Sequence, residues 1–170
     1  DSVFQTALSE KVRVFRVGGA SRAETVRNGV STLLEQDLAE VQDNILVHDA
    51  ARCCLPAEAL TRLLDEAGEN DEGGILAIPV ADTLKRSDGS HHIDETVARA
   101  GLWQAQTPQL FQTALLQRAL SVDDLSEITD EASAVEKLGI RPRLVQGDTR
   151  NLKLTLPQDE YIVRLLLKAV

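Results

Sequence analysis

The chain has 170 residues, a net charge of −9 from 18 basic and 27 acidic side chains, 43% hydrophobic residues and 3% aromatic ones. That length and apolar fraction suit one domain whose core needs neither disulfides nor a structural metal. The acidic balance and scarce aromatics leave no phosphate-backbone footprint and no base-stacking platform, so nucleic acid is not an expected partner. A small anionic ligand stays open, because a few arginines and lysines can gather locally, usually with a divalent cation to help. No apolar run approaches the ~20 residues of a membrane-spanning helix, and the sequence opens with no charged-then-apolar leader, so a soluble chain is expected. Cys53 and Cys54 are the only cysteines. Adjacent side chains diverge along an extended backbone, which predicts reduced, packed thiols in a cytoplasmic protein.

Taken in order, Lys11 to Val17 alternates Val12, Val14 and Val17 against basic residues and predicts a strand, broken by Gly18 and Gly19. Ser21 with Glu24 forms a capping-box signature, and Val26, Val30, Leu33 and Leu34 carry one apolar helical face to about Glu35. The same grammar repeats. Ile45 to Val47 has the look of a fully buried strand near the centre of a sheet. The polar turn His48 to Cys54 follows, and then a helix opened by Pro56 and ended at Gly68. Ile75 to Val80 is a further strand. Repeated βα units of this length predict a mainly parallel sheet covered on both faces.

The rhythm pauses between Ala81 and Leu102, where a polar segment with an Asp88-Gly89 turn signal predicts a projecting hairpin carrying His91 and His92 as solvated residues. A helix is expected from Pro108 through Leu110, Phe111, Leu115, Leu116 and Ala119. A second, with Thr129 as N-cap, should run to Gly139. Arg141 to Gln146 and Asn151 to Leu156 then predict two strands, the second turning Leu152, Leu154 and Leu156 inward. Pro157 starts a last helix with Ile162, Leu165, Leu166 and Val170 facing the core.

Chemistry concentrates after Val47. A carboxylate (Asp49), an imidazole (His48) and a guanidinium (Arg52) beyond the end of a strand occupy the crevice where open α/β sheets bind ligands; the alternative is that Asp49 only caps the turn and pairs with Arg52. Gly18-Gly19-Ala20-Ser21 offers backbone amides to a phosphate or base edge, with Arg22 and Arg27 near the positive helix end, or is only a turn. Lys153 points into a cleft or into solvent. Thr107-Pro108 and Thr129-Asp130-Glu131 are explained equally by helix starts.

Together these segments say more. His48-Asp49-Ala50-Ala51-Arg52, Asp82-Thr83-Leu84-Lys85-Arg86, Leu102-Trp103-Gln104-Ala105-Gln106-Thr107-Pro108-Gln109, Thr129-Asp130-Glu131-Ala132-Ser133 and Asn151-Leu152-Lys153-Leu154-Thr155-Leu156-Pro157 follow one another in the order found in one family. From Gly18 to its end the chain closely resembles 2-C-methyl-D-erythritol 4-phosphate cytidylyltransferase, which makes a cytidine-diphosphate intermediate of non-mevalonate isoprenoid synthesis. The resemblance implies a Rossmann-like, open, mainly parallel sheet with helices on both faces and a hairpin arm at about residues 81–102 of a single nucleotidyltransferase domain. It implies CTP and the methylerythritol phosphate as substrates, Mg²⁺ as cofactor and a cytoplasmic homodimer. Gly19, Ala20 and Thr25 would border the cytidine, with Thr25 where many relatives have serine. Asp49 would lie between the two substrates, as a possible metal ligand, and Thr107, Thr129 and Lys153 would hold the methylerythritol phosphate. Thr83 and Arg99 flank the arm, which in the family reaches into a neighbouring subunit. Asp49, Lys153 and Arg99 are the implied catalytic set.

Family members also carry a strand, a Pro-Ala-Ala-Gly-x-Gly loop, an arginine and a Pro-Lys-Gln segment ahead of the stretch matched here. None occurs in these residues, so the 170 residues alone are not expected to suffice for turnover. The competing expectations are a nucleotidyltransferase for another sugar or polyol phosphate, and a dimerising, substrate-binding remnant.

Overall fold

The computed structural model describes residues 12–168. Lys11 and Val170, which the sequence reading places in a strand and a helix, lie outside them. The elements in chain order are α1 (Arg22–Glu35), β1 (Asn44–Val47), α2 (Ala57–Ala67), β2 (Gly74–Pro79), β3 (Leu84–Ser87), β4 (Ile93–Val97), β5 (Trp103–Gln112), α3 (Thr113–Leu120), α4 (Glu131–Glu136), β6 (Arg143–Gln146) and α5 (Asp159–Lys168).

Four strands form one sheet in the order β1-β5-β2-β6. β6 pairs parallel to β2, and β5 runs antiparallel to both β1 and β2, so three of the four strands point the same way. Consecutive residues of a strand face opposite sides, and this splits the core in two. Ile75 and Phe111 pack with Val30, Leu116, Leu120 and Val135 of the helices on one face. Leu76, Leu110 and Val145 pack with Ala59, Leu63 and Ala67 of α2 on the other. Helices therefore cover both faces, as the βα grammar predicts.

Where local signals act through the backbone, prediction and structure agree closely. Ser21 caps α1 by accepting from the Glu24 amide, and the helix ends at Glu35. The capping box is only half made, because the Glu24 carboxylate accepts from the Ala20 amide at 2.6 Å. Pro56 precedes α2, and β3 and β4 form a separate two-stranded sheet. Its tip is not a tight Asp88-Gly89 turn. The Asp88 carboxylate accepts from the Ser90 and His92 amides, and His91 takes the positive φ of 63°.

Five expectations are corrected. Residues 12–17 hold no strand. β1 is an edge strand among the described residues, with β5 its one partner and Leu46 40% exposed, so it is neither central nor fully buried. Pro108, Leu110 and Phe111 belong to β5, and the helix begins only at Thr113. Gln106 to Phe111 are all buried, since β5 lies between two strands and two helix layers; burial on both faces erases the period-2 pattern that would have identified the strand. Residues 151–156 are irregular, with Asn151 fully buried and Leu154 and Leu156 exposed, the reverse of the predicted facing. On α5 Val163 is the buried residue, and Ile162 and Leu165 are exposed. Two smaller shifts belong with these. Asp130, one residue after Thr129, caps α4, and Cys53 is exposed with Cys54 half-buried, at a turn where neither is a core residue.

Gly73 joins α2 to β2 with φ +69°, and a Cβ there would meet the Phe111 ring and, at 2.5 Å, the Leu110 carbonyl oxygen. Both the left-handed backbone and the overlap disfavour a side chain. Gly29 lies mid-α1 with open space around it. Urea denaturation should therefore separate two identical substitutions by sign. Gly73→Ala should lose about 2 kcal/mol or more, and Gly29→Ala should gain about 0.5–1 kcal/mol.

Candidate active site

The end of β1 turns sharply. The Asp49 amide donates to Thr107 Oγ1 at 2.9 Å, and the same hydroxyl lies 3.0 Å from His48 Nδ1. The Arg52 amide returns to the Asp49 carbonyl at 2.9 Å and closes the turn. Arg52 then reaches across the sheet end: its NH1 donates to the Asn151 carbonyl at 2.6 Å. Asn151 in turn donates from Nδ2 to the Thr107 carbonyl at 2.7 Å, and the Leu154 amide donates to the Ala51 carbonyl at 2.9 Å. These bonds hold the irregular segment around Lys153 against the turn after β1, and Lys153 Nζ sits 3.0 Å from Asp49 Oδ2. Lys153 points into the cleft, as one of its two readings holds.

The other Asp49 oxygen faces Arg22, whose Nε donates to Oδ1 at 3.2 Å. Arg52, the partner offered by the turn-only reading, is more distant, with Nε 3.8 Å from Oδ2. Burial pushes the Asp49 carboxyl up, but the Lys153 hydrogen bond and the Arg22 charge outweigh it and hold the group below the usual carboxylate range. Arg52 is lowered by burial, which its Asp49 contact does not offset. Arg22 also makes a two-pronged contact with Glu131, NH1 to Oε1 at 2.6 Å and NH2 to Oε2 at 2.9 Å.

Two hollows open on either side of this cluster. The smaller, about 210 Å³, is lined by polar groups including Arg52, Thr107, Thr129 and Asp130. The wider, about 430 Å³, is lined by Thr25, Val26, Val47 and His48 among others. Arg22, Asp49 and Lys153 line both. The structure thus brings Asp49, Thr107, Thr129, Lys153 and Thr25 together. Gly19 and Ala20 line neither hollow and spend their amides internally, on Thr25 Oγ1 at 3.0 Å and on Glu24 Oε2. Thr83 and Arg99 stand apart at the base of the hairpin, where Arg99 donates to the Val80 and Ala81 carbonyls. Among the described residues no three His, Cys, Asp or Glu side chains cluster as a metal centre, and both Asp49 oxygens already face cations.

Sequence reasoning did not find the Arg22–Glu131 pair or the structural roles of Gln106, Gln109 and Asn151. Glu131 looks like a helix-start acid attracted to the dipole. Only the fold shows that it is 1% exposed.

Comparison with known proteins identifies the family of the whole chain. The chain matches the IspD family, 2-C-methyl-D-erythritol 4-phosphate cytidylyltransferase, over residues 1–169. It is 70% identical over 166 residues to the protein of that name from Neisseria gonorrhoeae (strain NCCP11945), covering 98% of this chain and 72% of that one. A crystal structure of 4-diphosphocytidyl-2C-methyl-D-erythritol synthase superposes with a TM-score of 0.91 at 67% identity, over 98% of this chain and 76% of that one. The Francisella tularensis cytidylyltransferase superposes at 0.79 with 32% identity, over 88% and 69%. Matched along nearly its whole length at such identity, the chain belongs to the 2-C-methyl-D-erythritol 4-phosphate cytidylyltransferase family.

Proposed function

We propose that the protein transfers a cytidylyl group from CTP to 2-C-methyl-D-erythritol 4-phosphate, releasing pyrophosphate, as a step of non-mevalonate isoprenoid synthesis. The observation that carries the reading is the Lys153–Asp49 contact at the boundary of two hollows, one polar and hydroxyl-lined, the other bordered by Thr25. A phosphate oxygen of the polyol attacks the α-phosphorus of CTP, forming one P–O bond as the bond to pyrophosphate breaks. This needs alignment and charge neutralisation, not a protein nucleophile. Lys153, Thr107 and Thr129 hold the attacking phosphate, Thr25 borders the cytidine with Gly19 and Ala20 behind it, their amides engaged by Thr25 and Glu24, and Asp49 separates and orients the two ligands. Magnesium belongs to the reading as companion of the nucleotide phosphates, with Asp49 as the carboxylate that lines both hollows. The active species is a cytoplasmic homodimer of a single nucleotidyltransferase domain, whose arm at residues 81–102 carries Thr83 and Arg99 into the neighbouring site.

Lys153→Ala in the complete protein should weaken use of the phosphorylated polyol far more than CTP binding. A truncated phosphate partner loses about 2–4 kcal/mol in kcat/KM. Steady-state kinetics with each substrate varied in turn would read it, and normal turnover by the variant would return Lys153 to the role of a solvated lysine.

Arg99 should act on the partner's substrate. An arginine fork binds phosphate at two oxygens and lysine does not reproduce that geometry. Mixing complete Arg99→Ala subunits with complete Lys153→Ala subunits under exchange conditions should restore activity, because a heterodimer then carries both lesions in one site and neither in the other. Proven heterodimers without recovered turnover would mean that Arg99 acts within its own chain or is only structural.

A further inference from the structure

Glu131 opens α4 yet is 1% exposed, and its carboxylate accepts both prongs of Arg22. Stability alone is weak grounds for such a pair. Taking a carboxylate out of water costs much of what its attraction to a cation returns, and buried pairs are often replaceable by apolar side chains of similar volume. The geometry offers another reason. Arg22 has three nitrogens on one rigid fork: NH1 and NH2 go to Glu131, and the remaining Nε goes to Asp49 Oδ1 at 3.2 Å. Asp49 Oδ2 is thereby left to Lys153, at 3.0 Å. Arg22 itself is 36% exposed at its side chain and lines both hollows. With its two NH groups free it would be a second phosphate-binding cation beside Lys153.

We infer that Glu131 is a positioning residue for the transfer reaction: by engaging both NH groups of Arg22 it fixes the guanidinium that orients Asp49, and keeps Arg22 from competing with Lys153 for the substrate phosphate. The inference rests on the reading of Asp49 and Lys153 given above. Glu131 sits in position because α4 starts there. Asp130 caps the helix through the Ser133 amide at 2.9 Å, and Gln109 of β5 bonds both Asp130, at 2.9 Å from Nε2 to Oδ2, and the Ala132 amide, also at 2.9 Å. Glu131 is thus flanked on both sides by residues tied to the buried strand. Burial works against the charge on Arg22, but the hydrogen bond and charge of Glu131, with those of Asp49, more than offset it.

The test is a double-mutant cycle in the complete enzyme, with kinetics measured for both substrates. Glu131→Gln, which keeps the shape and removes the charge, should lower kcat by about 10- to 100-fold, the order a small misplacement costs, while KM for CTP stays near wild type. Added to Asp49→Asn, the same substitution should cost about twofold at most, because the group it orients has already lost its charge. Arg22→Lys runs the cycle from the half-exposed end, and should show the same loss and the same non-additivity, since lysine has no fork. Should Glu131→Gln fail to fold, the Arg22→Lys arm decides alone. A wild-type kcat in either single variant, or losses that multiply in full with Asp49→Asn, would make the pair merely structural and overturn the inference. Normal turnover by Asp49→Asn would sink the underlying reading and the inference with it, whereas a crippled Asp49→Asn beside an unaffected Glu131→Gln sinks the inference only.

Discussion

A buried polar group must find a partner or cost several kcal/mol, and the middle of β5 places three of them inside the protein. Gln106, Thr107 and Gln109 are all buried. Gln106 donates to the Asp148 carbonyl at 2.9 Å and accepts from the Asp148 amide at 3.3 Å. Gln109 satisfies the start of α4 through Asp130 and Ala132. Thr107 accepts from the Asp49 amide, and its carbonyl from Asn151. Each bond ties a different loop to one strand. The turn after β1, the segment carrying Lys153 and the helix start carrying Glu131 converge at the sheet end, where they satisfy the buried polar side chains of β5. Asn151 Oδ1 and Arg52 Nε are buried without a hydrogen-bond partner, but the bonds made by the β5 side chains favour one arrangement of the three segments, as a preorganised site requires.

Electrostatics follows from that convergence. Arg22, Arg52 and Lys153 meet Asp49, Asp130 and Glu131 here, so in a chain with a net charge of −9 the acids around the two hollows are balanced by cations. An anionic substrate meets less repulsion at such a place than the charge of the whole protein would impose. The carboxylates do not simply cancel the cations. Asp49 divides its oxygens between Arg22 and Lys153, which gives each cation a fixed direction. A phosphate entering the smaller hollow would meet an ammonium already oriented and need not order it, and preorganisation of this sort is where electrostatic catalysis gains most.

Much of this was legible in the sequence. Ser21, Pro56 and the apolar run at Ile75 act through local backbone chemistry, and the elements they mark lie close to where they were expected. The grouping of Asp49, Thr107, Thr129 and Lys153 was available from motif order, and the fold brings them together. What failed depended on tertiary context. Leu110 and Phe111 followed by Leu115 and Leu116 have the spacing of a helix, and nothing local says that the first pair is buried on two opposite faces of a sheet. The alternation from Asn151 to Leu156 is a strand pattern, but Asn151 is drawn inward by Gln106 and Thr107, and with Asn151 anchored inside, Leu154 and Leu156 stay at the surface. A buried asparagine cannot be told from an exposed one by its neighbours in sequence. The Glu131–Arg22 pair is hidden for the same reason, its members standing 109 residues apart.

The hairpin obeys a different constraint. Its four ladder pairs join β3 only to β4, with Arg86 and Glu95 2.6 Å apart and Lys85 Nζ donating to Thr96 Oγ1 at 2.7 Å. Ile93, on one of its faces, is 67% exposed. A two-stranded ribbon is marginal in water without a third strand or a helix against it, and exposed ion pairs add little. Arg99 braces the base of this ribbon, taking the Val80 and Ala81 carbonyls where β2 ends. The sheet therefore delivers the arm in a set direction while Ile93 stays exposed on it. Under the proposed dimer, the stability of the arm and the completeness of the site would be one property, because the contact that ordered the ribbon would also carry Thr83 and Arg99 toward a phosphate.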